Sequence, residues 1–380
     1  MARHLLVGPS WPLRGGIART TTRLAATLES RGELAGFLTA ARQYPQWLYP
    51  GVSDIDPEAC RRLDFARPCF GALEPWTWPG LLREARAAAG DALLLPYWTW
   101  AWAPLEAWLA RRLHVPVVAI VHNPADHDAS YLSRLAARRV LSRASGFFCH
   151  ASAVGERIGL EFPNRPSAVH ALPPDPPPAA DRAAARAHLG VPEHHLALLC
   201  FGLIRPYKGV EVLLDSLAGL PRELPVTLLL AGEPWHEAGE RLRARLAAPD
   251  LAGRVVARLE WLPESEAPEW FAAADVAVLP YLSATGSAVA AQALGAGLPV
   301  VGSRVGGIAE VVDDGVSGLL VPPGEVPALT SALRQVFEPG LVARLAQGSR
   351  RAATRWSWSS YADTLQELVR AVLEARPRTV

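Results

Sequence analysis

Lysine is all but missing from this chain: Lys208 is the only one in 380 residues, and the other 37 of its 38 basic side chains are arginine. Where arginine serves almost everywhere, a retained lysine points to a position that needs a compact, rotatable ammonium; a single survivor also arises by chance, so its neighbours must decide. Cysteine is scarce as well. Cys60, Cys69, Cys149 and Cys200 form no CxxC pair and fall far short of a disulfide scaffold. That favours a reducing compartment, with a Cys60–Cys69 bridge as the less favoured reading. No run reaches the roughly 18 apolar residues of a membrane span, and His4-Leu5-Leu6-Val7 is too short for a signal-peptide core. A cytoplasmic protein is expected, at most peripheral to the inner face of the membrane. Excess charge is absent too: 38 basic against 37 acidic side chains leave a net charge of +1, which offers no footprint for a nucleic-acid partner. Fixed-period repeats are missing, which sets aside solenoids and propellers.

What is present is alternation. Short apolar runs bounded by Gly or Pro alternate with Ala/Leu/Arg segments of helical period, the pattern of a parallel sheet covered by helices, so the fold class is α/β. Strands are expected at Leu5–Gly8, Ala92–Pro96, Val117–Val121 and Gly146–Cys149 in the first half. In the second half they are expected at Leu196–Phe201, Val226–Ala231, Val255–Arg258, Val276–Pro280, Pro299–Gly302 and Gly318–Val321. Between the sets, Leu172-Pro173-Pro174-Asp175-Pro176-Pro177-Pro178 cannot donate a hydrogen-bond ladder and reads as a stiff connector. The expected organisation is an N-terminal domain over 1–172, a Pro-rich linker over 173–188, a C-terminal domain over 189–355 and a terminal helix over 356–380. That helix carries its apolar stripe at Tyr361, Leu365, Leu368 and Val372.

Three loops enter helices with chemistry to offer. After Leu198-Leu199-Cys200-Phe201-Gly202 comes Leu203-Ile204-Arg205-Pro206-Tyr207-Lys208-Gly209, then a helical pattern. Arg205 and the sole lysine thus sit where free amides and the helix dipole already favour an anion, and a phosphate site is the economical reading. Two solvated cations beside a turn is the bland one. In Pro280-Tyr281-Leu282-Ser283-Ala284-Thr285-Gly286-Ser287, small residues let a ligand approach backbone amides, and Thr285 or Ser287 can cap the helix or meet a phosphate. Gln292, about one turn further, can reach a nucleotide's sugar. Near the start, Gly15-Gly16 opens a third helix with free amides, but without the glycine spacing and later acid of a dinucleotide fingerprint.

Taken together these residues resemble glycosyltransferase family 4, of the GT-B fold. The resemblance runs through Gly15-Gly16, Lys208-Gly209, Ala274-Asp275-Val276, Leu279-Pro280-Tyr281, Gly295-Ala296-Gly297-Leu298-Pro299-Val300-Val301 and Gly306-Gly307-Ile308-Ala309-Glu310-Val311-Val312. It implies two Rossmann-like domains facing a cleft, with the terminal helix crossing back to the first. It also implies a hexosyltransferase-like enzyme that retains anomeric configuration and needs no metal or other cofactor. The donor would be a nucleotide sugar, a UDP- or GDP-sugar first, held by Gly15, Gly16, Arg205, Lys208, Thr285, Gly286, Ser287 and Gln292. The acceptor would be a hydroxyl on a glycan, glycolipid or small molecule. His122, which ends a strand, would line the reaction centre and act in catalysis with Arg205 and Lys208. Two departures stand out. Leu203 replaces the basic residue expected directly after Gly202, a role Arg205 can take. Ala284 and Gln292 stand where the family carries two glutamates, which motivates the alternative of a weak or inactive nucleotide-binding scaffold. An epimerase, or a phosphorylase with Lys208 bound to pyridoxal phosphate, on the same fold fits the residues less well than either.

Other features have plainer readings. His122, Asp126, His127 and Asp128 match no common zinc spacing. Asp54-Ile55-Asp56, ahead of Pro57, suggests helix capping. Trp98, Trp100 and Trp102 would share one side if extended and could stack on an acceptor, with core packing as the rival. Arg134, Arg138, Arg139 and Arg143 on one helix suit a solvated face first and an anionic lipid surface second.

Overall fold

The structure is a computed structural model that describes residues 2–43, 54–56, 63–123, 131–234 and 238–375. It divides into two compact units, Met1–Ala171 together with Trp358–Val380, and Leu172–Ser357.

The first unit runs β1 (His4–Gly8), α1 (Gly16–Ser30), β2 (Leu34–Arg42), β3 (Ala66–Gly71), α2 (Trp78–Ala88), β4 (Ala92–Tyr97), α3 (Ala103–Arg112), β5 (Val117–Val121), α4 (Tyr131–Leu141), β6 (Gly146–Cys149), α5 (Ser152–Glu161) and β7 (Ser167–Val169). Its sheet is parallel, in the order β3-β2-β1-β4-β5-β6-β7. Every residue of β1, β4, β5 and β6 is buried, as central strands covered on both faces require.

The second unit runs α6 (Arg182–His188), β8 (Leu196–Phe201), α7 (Val210–Ala218), β9 (Val226–Ala231), α8 (Ala238–Leu246), β10 (Val255–Arg258), α9 (Ala267–Ala273), β11 (Val276–Leu279), α10 (Ala288–Gly295), β12 (Val300–Ser303), α11 (Gly306–Val311), β13 (Gly318–Val321), α12 (Val326–Gln335) and α13 (Leu341–Ala353). Its sheet is also parallel, in the order β10-β9-β8-β11-β12-β13. Both units therefore follow the doubly wound order, whose direction of growth reverses between β1 and β4 and between β8 and β11. Ligands of such sheets bind beyond the carboxyl ends of the strands at that reversal.

The last helix, α14 (Trp358–Glu374), belongs to the first unit, as the resemblance implied. Tyr361, Leu365, Leu368 and Val372 are all buried and pack into the core formed by β1, β4, β5 and α1. Each is worth roughly 1.5–3 kcal/mol relative to exposure, which holds the helix there. The segment from Leu172 to Asp181 has no regular structure, and α6 lies within the span 173–188 expected as linker.

Three strands escaped the reading of the sequence. β2 is rich in Ala and Gly, β3 contains Pro68, and β7 has three residues. β3 and β7 are edge strands, where a proline or a short length is tolerated. The tryptophan expectation also changes. Thr99 Oγ1 accepts from the Ala101 amide and folds Trp100–Trp102 into a 3-10 turn, so the three rings do not share one side. Trp102 is buried against Phe70 and Trp98, whereas Trp100 is half exposed.

Candidate functional site

In the second unit, Arg205, Lys208, Thr285, Gly286, Ser287 and Gln292 come from just two places, the loop after β8 and the loop-helix step after β11. These strands are adjacent, with Val276 paired to Leu198. The two loops are also fastened to each other: the Leu282 amide donates to the Tyr207 carbonyl at 2.7 Å. Gly209, which opens α7, has φ +64, and a Cβ there would stand 2.1 Å from the Pro280 carbonyl oxygen. Gly306 at the start of α11 has φ +41, with the Ala284 carbonyl 1.8 Å from its would-be Cβ. Only glycine fits at either point. The loop after β11 thus runs pressed between the starts of α7 and α11.

Within this frame Lys208 is the last residue of a 3-10 turn, Pro206–Lys208, that Arg205 precedes. Its ammonium lies 5.4 Å from the centre of the Tyr281 ring. Among the described residues it makes no hydrogen bond or ion pair, and burial, with Arg205 adding to it, pushes it below the ordinary lysine range. Tyr281 is buried, with Ser287 near enough to its hydroxyl to oppose the upward push that burial gives its pKa. Ser287 caps α10, accepting from the Ala290 amide at 3.1 Å, so the capping role falls to Ser287 rather than Thr285. Gln292 is 5% exposed on α10, and its amide has no hydrogen bond among the described residues. In the sequence Tyr281 stood out only as part of the Leu279-Pro280-Tyr281 motif, with no role attached to it.

The remaining candidates lie in the first unit. Gly15, at φ +113, precedes α1, which begins at Gly16 beyond the end of β1, and no side chain caps that helix. His122 follows β5, its amide donating to the Tyr97 carbonyl at 2.9 Å. Its ring stands 4.5 Å from that of His150, which follows β6. Burial, and after it the charge that His150 can carry, hold His122 well below the usual histidine range, and burial pushes His150 down to about 4. Both rings are therefore neutral near pH 7.

Among the described residues no three His, Cys, Asp or Glu side chains converge as a metal site. Asp126, His127, Asp128 and Cys60 lie outside the described residues. Asp54 does not cap a helix within them: its carboxylate accepts from the Gln43 amide and its carbonyl from the Arg14 amide, which fastens the loop after β1. In α4 and the turn after it, Arg138 and Arg139 are exposed, and Arg138 lies 3.8 Å from Glu161, in keeping with a solvated face. No described helix is long and apolar enough to cross a membrane.

Comparison with known proteins points in the same direction. Residues 195–338 match the family model described as glycosyl transferases group 1. The chain is 32% identical to the D-inositol 3-phosphate glycosyltransferase of Saccharomonospora viridis, over 95% of this chain and 90% of that one. With the enzyme of the same name from Xylanimonas cellulosilytica it shares 27% identity over 96% and 93%. Among solved structures, sucrose-phosphate synthase from Thermosynechococcus elongatus superposes with a TM-score of 0.77 at 18% identity, covering 98% of this chain and all of that one. Anabaena HepE in complex with UDP-glucose superposes with 0.75 at 19% identity, covering 97% and 99%.

Proposed function

Because the chain belongs to the group 1 glycosyltransferases, the family 4 type on the GT-B fold, and is a sugar-transferring enzyme, we propose that its donor is a nucleoside-diphosphate sugar and that transfer retains anomeric configuration. One observation carries the donor reading: a half-buried ammonium, Lys208, beside a helix start and facing no carboxylate among the described residues. A cation held this way lacks a counter-charge, and a diphosphate supplies one. That the Anabaena neighbour is described with UDP-glucose supports the same class of ligand.

The chemical work is to stabilise negative charge as the bond from the anomeric carbon to the diphosphate oxygen breaks. Lys208, Arg205 and the amides opening α10 at Gly286-Ser287 would take that charge. Gln292 would meet ribose hydroxyls as donor and acceptor, which replaces a carboxylate's stronger bond with a neutral one. Ala284 offers no such contact. The acceptor hydroxyl would form the new bond on the same face and pass its proton to the departing phosphate oxygen. In the first unit, Gly15-Gly16 would offer amides and His122, being neutral, a hydrogen bond to a sugar hydroxyl.

The test is titration of UDP, GDP and ADP into the full chain by calorimetry, followed by release of nucleoside diphosphate from the sugar donors of whichever binds. Binding of UDP or GDP with turnover is expected. Failure of all three to bind overturns the donor reading, and binding without turnover replaces the enzyme by a nucleotide-binding scaffold. Retention is read from the product: an α-linked donor must give an α-linked product by proton NMR, and a β-linked product overturns it.

A further inference from the structure

His122 rests on a column of rings. His150 lies against it at 4.5 Å, and Tyr361 of α14 stacks on His150 at 5.8 Å with 23° between the planes. Behind Tyr361 stand Phe148 at 4.6 Å, Trp358 at 5.4 Å and His170 at 5.4 Å. Two hydrogen bonds fix the edges. His150 Nδ1 is 3.3 Å from the His170 carbonyl, which can only accept, so Nδ1 carries the proton. His170 Nδ1 likewise donates to the Ala171 carbonyl at 2.7 Å, leaving Nε2 to accept from Ser360 at 3.1 Å. Among the described residues, His150 Nε2 and the Tyr361 hydroxyl are buried without a hydrogen-bond partner. What these two residues offer His122 is thus ring surface rather than a hydrogen bond.

The column also sits where the chain passes between units. His170 and Ala171 are the last residues before the chain leaves the first unit, and Trp358, Ser360 and Tyr361 follow its return. The His170–Ser360 bond ties the departing segment to the returning one.

We infer that His150 and Tyr361 are positioning residues that hold the His122 ring at the end of β5, so that the returning helix α14 sets the geometry of a residue far from it in sequence. The inference rests on the reading of His122 given above. It deepens that reading by naming what keeps the ring in place and dry.

Histidine side-chain NMR of the full chain tests it without any donor. Among the described residues, the titratable groups facing the column are His122, His150, His170, Tyr361 and Cys149. Removing the ring in His150→Ala admits water beside His122, and its titration is expected to move up by at least one pH unit. His150→Phe keeps the ring surface and removes only the His150 charge, so it is expected to move His122 up by less than half the shift in His150→Ala. Tyr361→Leu is expected to move it in the same direction as His150→Ala, by less. An unmoved His122 in His150→Ala overturns the inference. A cycle with UDP-glucose hydrolysis as probe adds the functional arm. His150→Ala is expected to lower kcat at least tenfold with KM within twofold, and to cost less than twofold when His122 is already alanine. Equal losses in both backgrounds would make His150 a general structural residue and overturn the inference. Full turnover by His122→Ala would instead sink the reading of His122, while the NMR arm still decides the column.

Discussion

The two units share one sheet order and dress its strand ends differently. Beyond β8 and β11 the second unit carries glycines, small residues, an arginine and the only lysine, pressed together so tightly that Gly209 and Gly306 admit no Cβ. Beyond β4 and β5 the first unit carries tryptophans and neutral histidines packed ring on ring. As proposed above, one set of loops would take an anion held by amides and cations, and the other a neutral, hydroxyl-bearing partner. The scaffold does not choose between them, and the loop residues do.

Removing the lysine should break the contrast most severely. Lys208→Ala takes away a cation paired with the diphosphate both before and during its departure, and a loss of about 2–4 kcal/mol in UDP binding is expected. Calorimetric titration reads it directly. Affinity equal to wild type would remove Lys208 from the site. The same lysine sets a pH response whose sign can be worked out. Its pKa is lowered in the free protein and would rise on pairing with phosphate, so binding takes up a proton once Lys208 is partly neutral. UDP affinity should therefore hold steady below that lowered value and fall above it, starting below the ordinary 10.5.

The first unit should show its character in acid. His150 titrates near 4 in the fold against about 6.5 unfolded, with burial the largest cause. The unfolded chain then binds the proton more readily, so stability is complete above pH 6.5 and is lost as pH falls toward 4. By pH 5 the loss from His150 is about 2 kcal/mol, and His122, lowered for the same reason, adds to it. Urea melts at pH 7 and pH 5 check this, with His150→Phe expected to recover the His150 share. A chain as stable at pH 5 as at pH 7 would contradict neutral, dry histidines.

How much of this was open to reading depended on whether a residue's meaning was local. Ten strands followed from apolar runs bounded by Gly or Pro, with ends within a residue or so of those observed. β2, β3 and β7 did not, because their residues are weak strand formers held in place by pairing with neighbours distant in sequence. The loop with Arg205 and Lys208 could be picked out because its chemistry lies within eight residues that open a helix. The column under His122 could not. His150, His170 and Tyr361 are spread over more than two hundred residues, and only the return of α14 brings Tyr361 to the histidines. The stripe of α14 announced a packed helix; nothing in it said which sheet would receive it.

Gln292 offers a smaller lever on the anion side. Its amide is nearly buried and carries no hydrogen bond among the described residues, so a ribose hydroxyl would satisfy it. Gln292→Leu should weaken UDP binding by about 1 kcal/mol, because it leaves the ribose hydroxyls without a partner, whereas Gln292→Glu should match or exceed wild type. Equal affinities in all three proteins would take Gln292 out of the site.

The least effect is expected where the two regions are most distinct. His122 lies in the first unit, on neutral rings, and the cations proposed for the diphosphate, Arg205 and Lys208, lie in the second. His122→Ala should therefore leave UDP affinity within twofold of wild type while it slows sugar transfer, since the ring's proposed partner is a sugar hydroxyl rather than the phosphates. A change confined to kcat marks an interaction made in the transition state, whereas one shared with UDP binding marks ground-state recognition of the nucleotide. Calorimetry with UDP and steady-state rates on the same preparation separate the two. A loss of UDP affinity in His122→Ala as large as that in Lys208→Ala would mean that histidine and lysine serve one anion site, and the division of labour drawn from the two sheets would fall.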